Sequence, residues 1–112
     1  MTVNPLNDVV DVASLGGTVS VISGRTGTVT ATIPVEYGLG DIAVNPLTGA
    51  VYVTNHYDSD LAVINGRTGM VTAIIRVGGM PEGVAVNPLS GTVYVANTDN
   101  DTVSVISASG PG

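Results

Sequence analysis

The tetrapeptide Val-Asn-Pro-Leu occurs three times in this chain of 112 residues, at residues 3–6, 44–47 and 86–89. A second motif, Gly-Arg-Thr-Gly, occupies residues 24–27 and 66–69, and both copies follow Val-Ile and one small polar residue. Equivalent residues are separated by 41 or 42 positions, so the chain is built from repeats of about 42 residues. The first copy is one residue short, and we place the missing residue in the loop around Leu15 and Gly16.

Each repeat is expected to contain short strands, because turn-forming sequences recur every eight to twelve residues or so and leave no room for an ordinary helix. In the middle copy the sequence predicts strands at residues 40–45, 50–55, 61–65 and 70–77. In the fourth strand of the first copy, apolar residues alternate with threonines. That strand also contains Pro34, which cannot donate a ladder hydrogen bond and favours an outer edge. Four antiparallel strands per repeat predict a β-propeller blade.

The predicted fold is therefore all-β, with blades at residues 1 to about 40, about 41–82 and about 83–107, and a tail at residues 108–112. The third blade is expected to lack its outer strand. Propellers usually have about four to eight blades, so three blades cannot close a ring. We expect exposed apolar faces at both ends of the arc, and a homodimer that closes a ring of six blades. The alternative is a fragment of a longer propeller.

Composition excludes several classes of partner and chemistry. The formal net charge is -6 and only three residues are basic, which argues against nucleic acid and anionic membranes as partners. The chain has no cysteine, so it forms no disulfide and has no thiolate nucleophile. No apolar run approaches the length of a membrane span, so membrane insertion is not expected. The first residues lack the basic start and apolar stretch of a signal peptide.

A tetrapeptide in the second predicted strand is the most specific motif. It reads Tyr52-Val53-Thr54-Asn55 in the second copy and Tyr94-Val95-Ala96-Asn97 in the third. With its flanking sequences it resembles the YVTN β-propeller repeat family over nearly the whole chain. In the first copy Asp11-Val12-Ala13-Ser14 stands in its place. The resemblance implies a toroidal propeller, often found on cell surfaces and in surface-layer proteins, and related to propellers that carry haem or quinone. It implies no single activity.

Structural roles are expected for the polar and aromatic residues of this motif. The chain has no Phe or Trp, and we expect Tyr52 and Tyr94 to pack against the next blade. Asn55 and Asn97 are expected to hold turns through bonds from their side chains to the backbone, as are the asparagines of the three Asn-Pro pairs.

Few residues in the sequence are candidates for catalysis or metal binding. His56 is the only histidine, so a catalytic relay or a histidine-rich metal site cannot form within one chain, and we interpret it as a solvated loop residue. Acidic loops at equivalent positions contain Asp58 and Asp60 in the second copy and Asp99 and Asp101 in the third. These carboxylates are weak candidates for binding Ca²⁺, since such residues are also typical of tight turns.

Arg25 and Arg67 recur within the Gly-Arg-Thr-Gly motif. An arginine beside glycine amides could hold a carboxylate or phosphate, but the recurrence of a hairpin turn explains the motif more simply.

The sequence favours a non-enzymatic structural or interaction module that presents its loops to a protein or surface partner. We assign no catalytic residue and no cofactor. The alternatives are a fragment of a cofactor-bearing or metal-binding propeller enzyme, and a scaffold stabilised by Ca²⁺.

Overall fold

The computed structural model of the chain describes residues 1–14, 16–36 and 38–107. The predicted tail at residues 108–112 therefore lies outside the described residues. The first sheet contains β1 (Thr2–Asn4), β2 (Val9–Ala13), β3 (Thr18–Ser23) and β4 (Thr28–Pro34). The second contains β5 (Leu39–Val44), β6 (Val51–Asn55), β7 (Asp60–Asn65) and β8 (Met70–Arg76). The third contains β9 (Pro81–Val86), β10 (Val93–Asn97) and β11 (Thr102–Ile106).

Every sheet is antiparallel, and its strands lie in the order in which they occur along the chain. Such a meander needs only short turns between neighbouring strands, which is what the sequence supplies. The prediction of an all-β fold is confirmed, with two sheets of four strands and one sheet of three among the described residues. The described part of the chain contains no helix of the length and apolar character needed to cross a membrane.

The register of the strands shows where the first copy is shortened. Asp11 pairs with Val21, and Tyr52 pairs with Val63. The spacing between equivalent residues is thus 41 in the second strand but 42 in the third. The missing residue therefore lies between β2 and β3, where Ser14 donates its amide to the carbonyl of Thr18. This agrees with the predicted loop, although Leu15 itself lies outside the described residues.

Four turn positions of the repeat require a left-handed backbone. All positive-φ residues in the described ranges fall at these positions. They are Asp8, Gly49 and Gly91; Gly17, Ser59 and Asp101; Gly27 and Gly69; and Gly38 and Met80. Glycine adopts this conformation without steric cost, and Asp is among the better tolerated substitutes. The repeat therefore conserves backbone conformation even where the side chain changes.

Two apolar cores lie between the sheets. We call the face of a sheet that is directed toward the preceding blade its leading face, and the opposite face its trailing face. The first core joins the trailing face of the first sheet, through Val19 and Ile33, to Ile42 and Val53 on the leading face of the second. The second core joins Leu61 on the trailing face of the second sheet to Val93 and Val95 on the third. The middle sheet is thus covered on both faces.

Candidate functional site

The leading face has five apolar positions that recur in every blade. The second blade has Ile42, Val44, Val51, Val53 and Ile64; the third has Val84, Val86, Val93, Val95 and Ile106; and the first has Met1, Val3, Val10, Val12 and Ile22. In the second and third blades these side chains belong to the two cores. In the first blade they belong to neither core, and Val3 is 52% exposed. Apolar sequence is therefore retained on a face that no described blade covers.

The trailing face of the third blade is the second uncovered apolar surface. Val103 is 61% exposed, whereas Leu61 at the equivalent position of the second blade is fully buried. Tyr94 is 43% exposed, whereas Tyr52 packs in the second core. Burial raises the pKa of the Tyr52 hydroxyl. The predicted contact of Tyr52 with the next blade is thus present, while Tyr94 and Val103 at the equivalent positions have no cover from the described residues.

Thr54 joins the second and third blades by hydrogen bonds. Its Oγ1 accepts a bond from the Asp41 amide at 2.8 Å and donates to the Glu82 carbonyl at 3.0 Å. Asp41 adds a second bond between the blades, because its Oδ2 accepts from the Val84 amide at 3.2 Å. Thr54 is fully buried and lies against Gly40, where a Cβ atom would come within 2.9 Å of the hydroxyl. We call this arrangement the Thr54 latch.

Sequence reasoning assigned no role to the Thr54 hydroxyl. The signal that could have revealed it is the presence of two polar residues, Asp41 and Thr54, within the mostly apolar strands β5 and β6. Gly83 and Ala96 stand at the equivalent positions of the third blade, so its trailing face lacks the side chains of the latch.

The two asparagines of the tetrapeptide act differently. Asn55 Oδ1 accepts from the amides of Tyr57 and Asp58, both at 3.1 Å, and so holds the turn as predicted. Asn97 instead donates through Nδ2 to the hydroxyls of Thr102 and Ser104. Its expected bond from side chain to backbone is replaced by bonds between side chains, because the third blade carries hydroxyls next to this asparagine. The buried Nδ2 of Asn55 has no partner.

The asparagines of the three Asn-Pro pairs make the same hydrogen bond in all three repeats. In each Asn-Pro pair the asparagine Oδ1 accepts the amide two residues later, at 2.9 Å for Asn4 and 3.0 Å for Asn45 and Asn87. These side chains fix the turn between the first and second strands of each blade, which the sequence predicted.

The structure places both candidate anion-binding arginines in exposed turns. Asn65 Oδ1 accepts the amides of Arg67 and Thr68, so an asparagine side chain organises this turn. The equivalent Arg25 is exposed in the turn between β3 and β4. Both arginines thus lie in the hairpin turn that the sequence predicts between the third and fourth strands of a blade.

Three carboxyl groups meet at one edge of the second blade. Carboxylate oxygens of Glu36, Asp58 and Asp60 lie within 4.8 Å of one another. Burial and the charges of Asp60 and Asp58 raise the pKa of Glu36. Burial and the charge of Asp58 also raise the pKa of Asp60, against opposing effects from a bond to Glu36 and from Arg76. Glu36 Oε1 and Asp60 Oδ1 are buried without a hydrogen-bond donor, so a proton or a cation at this cluster would relieve their repulsion.

Sequence reasoning found Asp58 and Asp60 but missed Glu36, which the connector after β4 brings to the same turn. The repeat could have located Glu36, because the connector that follows the fourth strand occupies the same position in each copy. Asp99 and Asp101 are exposed and belong to no comparable cluster within the described ranges.

His56 is half-buried, and its backbone amide bonds to the Gly38 carbonyl at 2.9 Å. Its ring meets Tyr57 edge-on, with 5.5 Å between the ring centroids. Tyr57 in turn covers Gly38 so closely that a Cβ atom there would overlap the ring. These contacts pack the connector before β5 against the loop after β6.

Asp11 is a buried carboxyl at the position that Tyr52 occupies in the next blade. It is 4% exposed, and burial raises its pKa. It faces a shallow groove between the first two blades that is also lined by Asn4, Asn7 and Arg67. The first interface between blades therefore contains a polar group where the second contains an aromatic ring.

No known protein-family profile matches the sequence, and no curated protein matches it significantly. Solved structures do match. Hydrazine synthase from Kuenenia stuttgartiensis is 25% identical, with a TM-score of 0.89 over 96% of this chain and 31% of that one. The dihydro-heme d1 dehydrogenase NirN, solved in complex with DHE, is 25% identical, with a TM-score of 0.76 over 95% of this chain and 23% of that one.

The β-propeller domain of Swd1 (Cps50) from Myceliophteria thermophila is 12% identical, with a TM-score of 0.82 over 96% of this chain and 34% of that one. The chain thus spans about a third or less of the length of each of these proteins. The likeness shows that the three sheets form part of a β-propeller.

Proposed function

We propose that the chain is a non-enzymatic interaction module, a partial propeller of the YVTN type that associates with a second copy of itself through its exposed blade faces. The observation that carries the proposal is the repetition of five apolar positions on all three leading faces, only two of which are covered by described residues. An apolar sheet face of this kind normally belongs to an interface.

The second copy is favoured because the chain already contains the contact that such a copy would make. The second and third blades pack a trailing face on a leading face, with Tyr52 and Leu61 against Val93 and Val95. The trailing face of the third blade has Tyr94 and Val103 at the positions of Tyr52 and Leu61, and the leading face of the first has Val10 and Val12 at the positions of Val93 and Val95. Packing one on the other continues an established interface.

This contact joins two different surfaces, so it is heterologous, and it either closes into a ring or continues as an open series. Two copies of three blades give six blades, which lies within the usual range of about four to eight. The third blade has Gly83 and Ala96 where the second has the Thr54 latch, so the contact between copies would depend on apolar packing.

In such a ring the loops between the second and third strands of each blade lie at one end. Asp58, Asp99 and Asp101 are exposed in these loops. Their negative charge favours a protein or surface partner with basic groups.

The decisive measurement is the mass of the chain in solution, by light scattering coupled to size exclusion. We expect twice the 11.2 kDa mass of one chain. Tyr94→Asp places a charge at the centre of the trailing face and is expected to give a monomer. Leu89→Asp is the matched control, because Leu89 is 89% exposed in a turn away from both faces. A native chain that stays at 11.2 kDa, or an open series of larger species, contradicts the dimeric ring.

A second candidate is a segment of a propeller enzyme, which is favoured by the 25% identity to hydrazine synthase and to the dehydrogenase NirN. Titration with haem, followed by visible absorption, tests it. A saturable Soret band that His56→Ala abolishes would support this candidate over the binding module.

A third candidate, a scaffold stabilised by Ca²⁺, is favoured by the donor-free oxygens of Glu36 and Asp60. If it is correct, Ca²⁺ raises the melting temperature, a chelator reverses the effect, and Asp60→Asn removes it.

A further inference from the structure

The third strand of the first blade and that of the third blade have the same sequence. Residues 18–23 and 102–107 both read Thr-Val-Ser-Val-Ile-Ser. β3 pairs with β2 on one side and β4 on the other, whereas β11 pairs with β10 alone among the described strands. The backbone edge that β4 occupies in the first blade is therefore left open by the described strands in the third.

We propose that the open edge of β11 accepts a fourth strand, and that this strand is an uncharged extended segment of the β4 type. The model for the partner is β4 itself, in which Val29, Ala31 and Ile33 alternate with threonines. Because β11 and β3 are identical in sequence, a strand that fits one edge fits the other.

The register of the added strand follows from the first blade. There Val19 pairs with Ile33 and Val21 with Ala31, so Val103 pairs with the isoleucine of the incoming strand and Val105 with its alanine. The pairing of β3 with β4 shifts at Val21 and Ile22, and the pairing of β7 with β8 shifts at the equivalent Val63 and Ile64. The incoming strand therefore carries one extra residue at this bulge.

A threonine at the bulge adds specificity. Thr30 Oγ1 donates to the carbonyl of Val21 at 3.2 Å, and Thr72 Oγ1 donates to the carbonyl of Val63 at the same distance. In both complete blades the third strand thus presents this carbonyl to the fourth. By equivalence the carbonyl of Val105 is directed to the open edge and accepts the threonine hydroxyl of the partner strand.

The edge of β11 also lacks the features that normally discourage strand addition. β11 contains neither a charged residue nor a proline, whereas β4 ends at Pro34 and β8 ends at Arg76. Unprotected edges of this kind pair with other strands. The added strand extends the sheet at its edge, whereas the proposed association of two copies covers the faces of the sheets. Either proposal can therefore fail while the other stands.

The test uses a fluorescent peptide with the sequence of residues 26–35 and the native 112-residue chain. We expect saturable binding by anisotropy and slower hydrogen exchange at the amides of Val103 and Val105. A peptide with Ala31→Pro cannot continue the ladder and is expected to bind at least about tenfold more weakly. Failure of the native peptide to bind, or equal binding by the proline peptide, overturns the proposal.

A second variant tests the location of the site. Replacing residues 108–112 with a copy of residues 24–35 supplies the fourth strand within the same chain. This variant is expected to melt at a higher temperature and to lose binding of the peptide. Undiminished binding by the variant overturns the proposal. The proposal is also overturned if, without peptide, protection of the Val105 amide from hydrogen exchange rises with protein concentration. That result indicates that two β11 edges pair with each other.

Discussion

Replacing Thr54 by valine tests whether the Thr54 latch holds the second and third blades together. The substitution keeps the shape and the β-branched side chain but removes the hydroxyl. It breaks the bond from the Asp41 amide and the bond to the Glu82 carbonyl. Each neutral bond contributes about 1 kcal/mol, and a buried amide left without an acceptor adds to the loss. We expect the free energy of unfolding to fall by about 2–3 kcal/mol.

The matched control is Thr72→Val. Thr72 also bonds to a backbone carbonyl, at 3.2 Å, but it is exposed on the outer strand, so water replaces the lost bond. We expect a change within about 0.5 kcal/mol for this variant. Urea unfolding provides both values, and the melting temperature of Thr54→Val is expected to fall by roughly 10 °C. Equal stability of the two variants would refute the role given to the latch.

Three further substitutions have defined outcomes. Glu36→Gln is expected to raise the melting temperature at pH 7 but not at pH 3. The pKa of Glu36 is raised in the folded chain, so the protonated carboxyl stabilises the fold at low pH and this stabilisation is lost as pH rises through that pKa. An equal gain in melting temperature at both pH values contradicts the prediction. Asn97→Ala removes the bonds to Thr102 and Ser104 and is expected to lower the melting temperature, and an unchanged melting curve argues against a structural role. Val53→Ala leaves a cavity in the first core and is expected to cost about 2 kcal/mol in urea unfolding, whereas Val29→Ala on the exposed outer strand should cost far less.

The strand pattern could be predicted from the sequence because each turn is encoded locally. The strand expected at residues 50–55 is found at Val51–Asn55, and the one expected at 61–65 is Asp60–Asn65. Asparagine and glycine at the turns fix these limits through bonds that span two or three residues. Repetition of the same signals in each copy makes them easier to recognise.

Contacts between distant segments could not be predicted in this way. The bond between Thr54 and Glu82 joins residues 28 positions apart, and it depends on how one blade packs on the next. Glu36 reaches Asp60 because the connector after β4 crosses the turn after β6. The different bonds made by Asn55 and Asn97 likewise reflect their surroundings, since Thr102 and Ser104 stand beside only one of them.

The middle blade is the only one of the three with an apolar core on both of its faces among the described residues. In a linear array of repeats, stability is approximately the sum of the contributions of single repeats and of their nearest-neighbour contacts. We therefore expect the outer blades to open before the middle one, since each has to lose the contact with only one neighbouring blade. The local stability of a single copy then decreases from the middle blade to the outer ones, and we expect β6, at the centre of the array, to be the last strand to unfold.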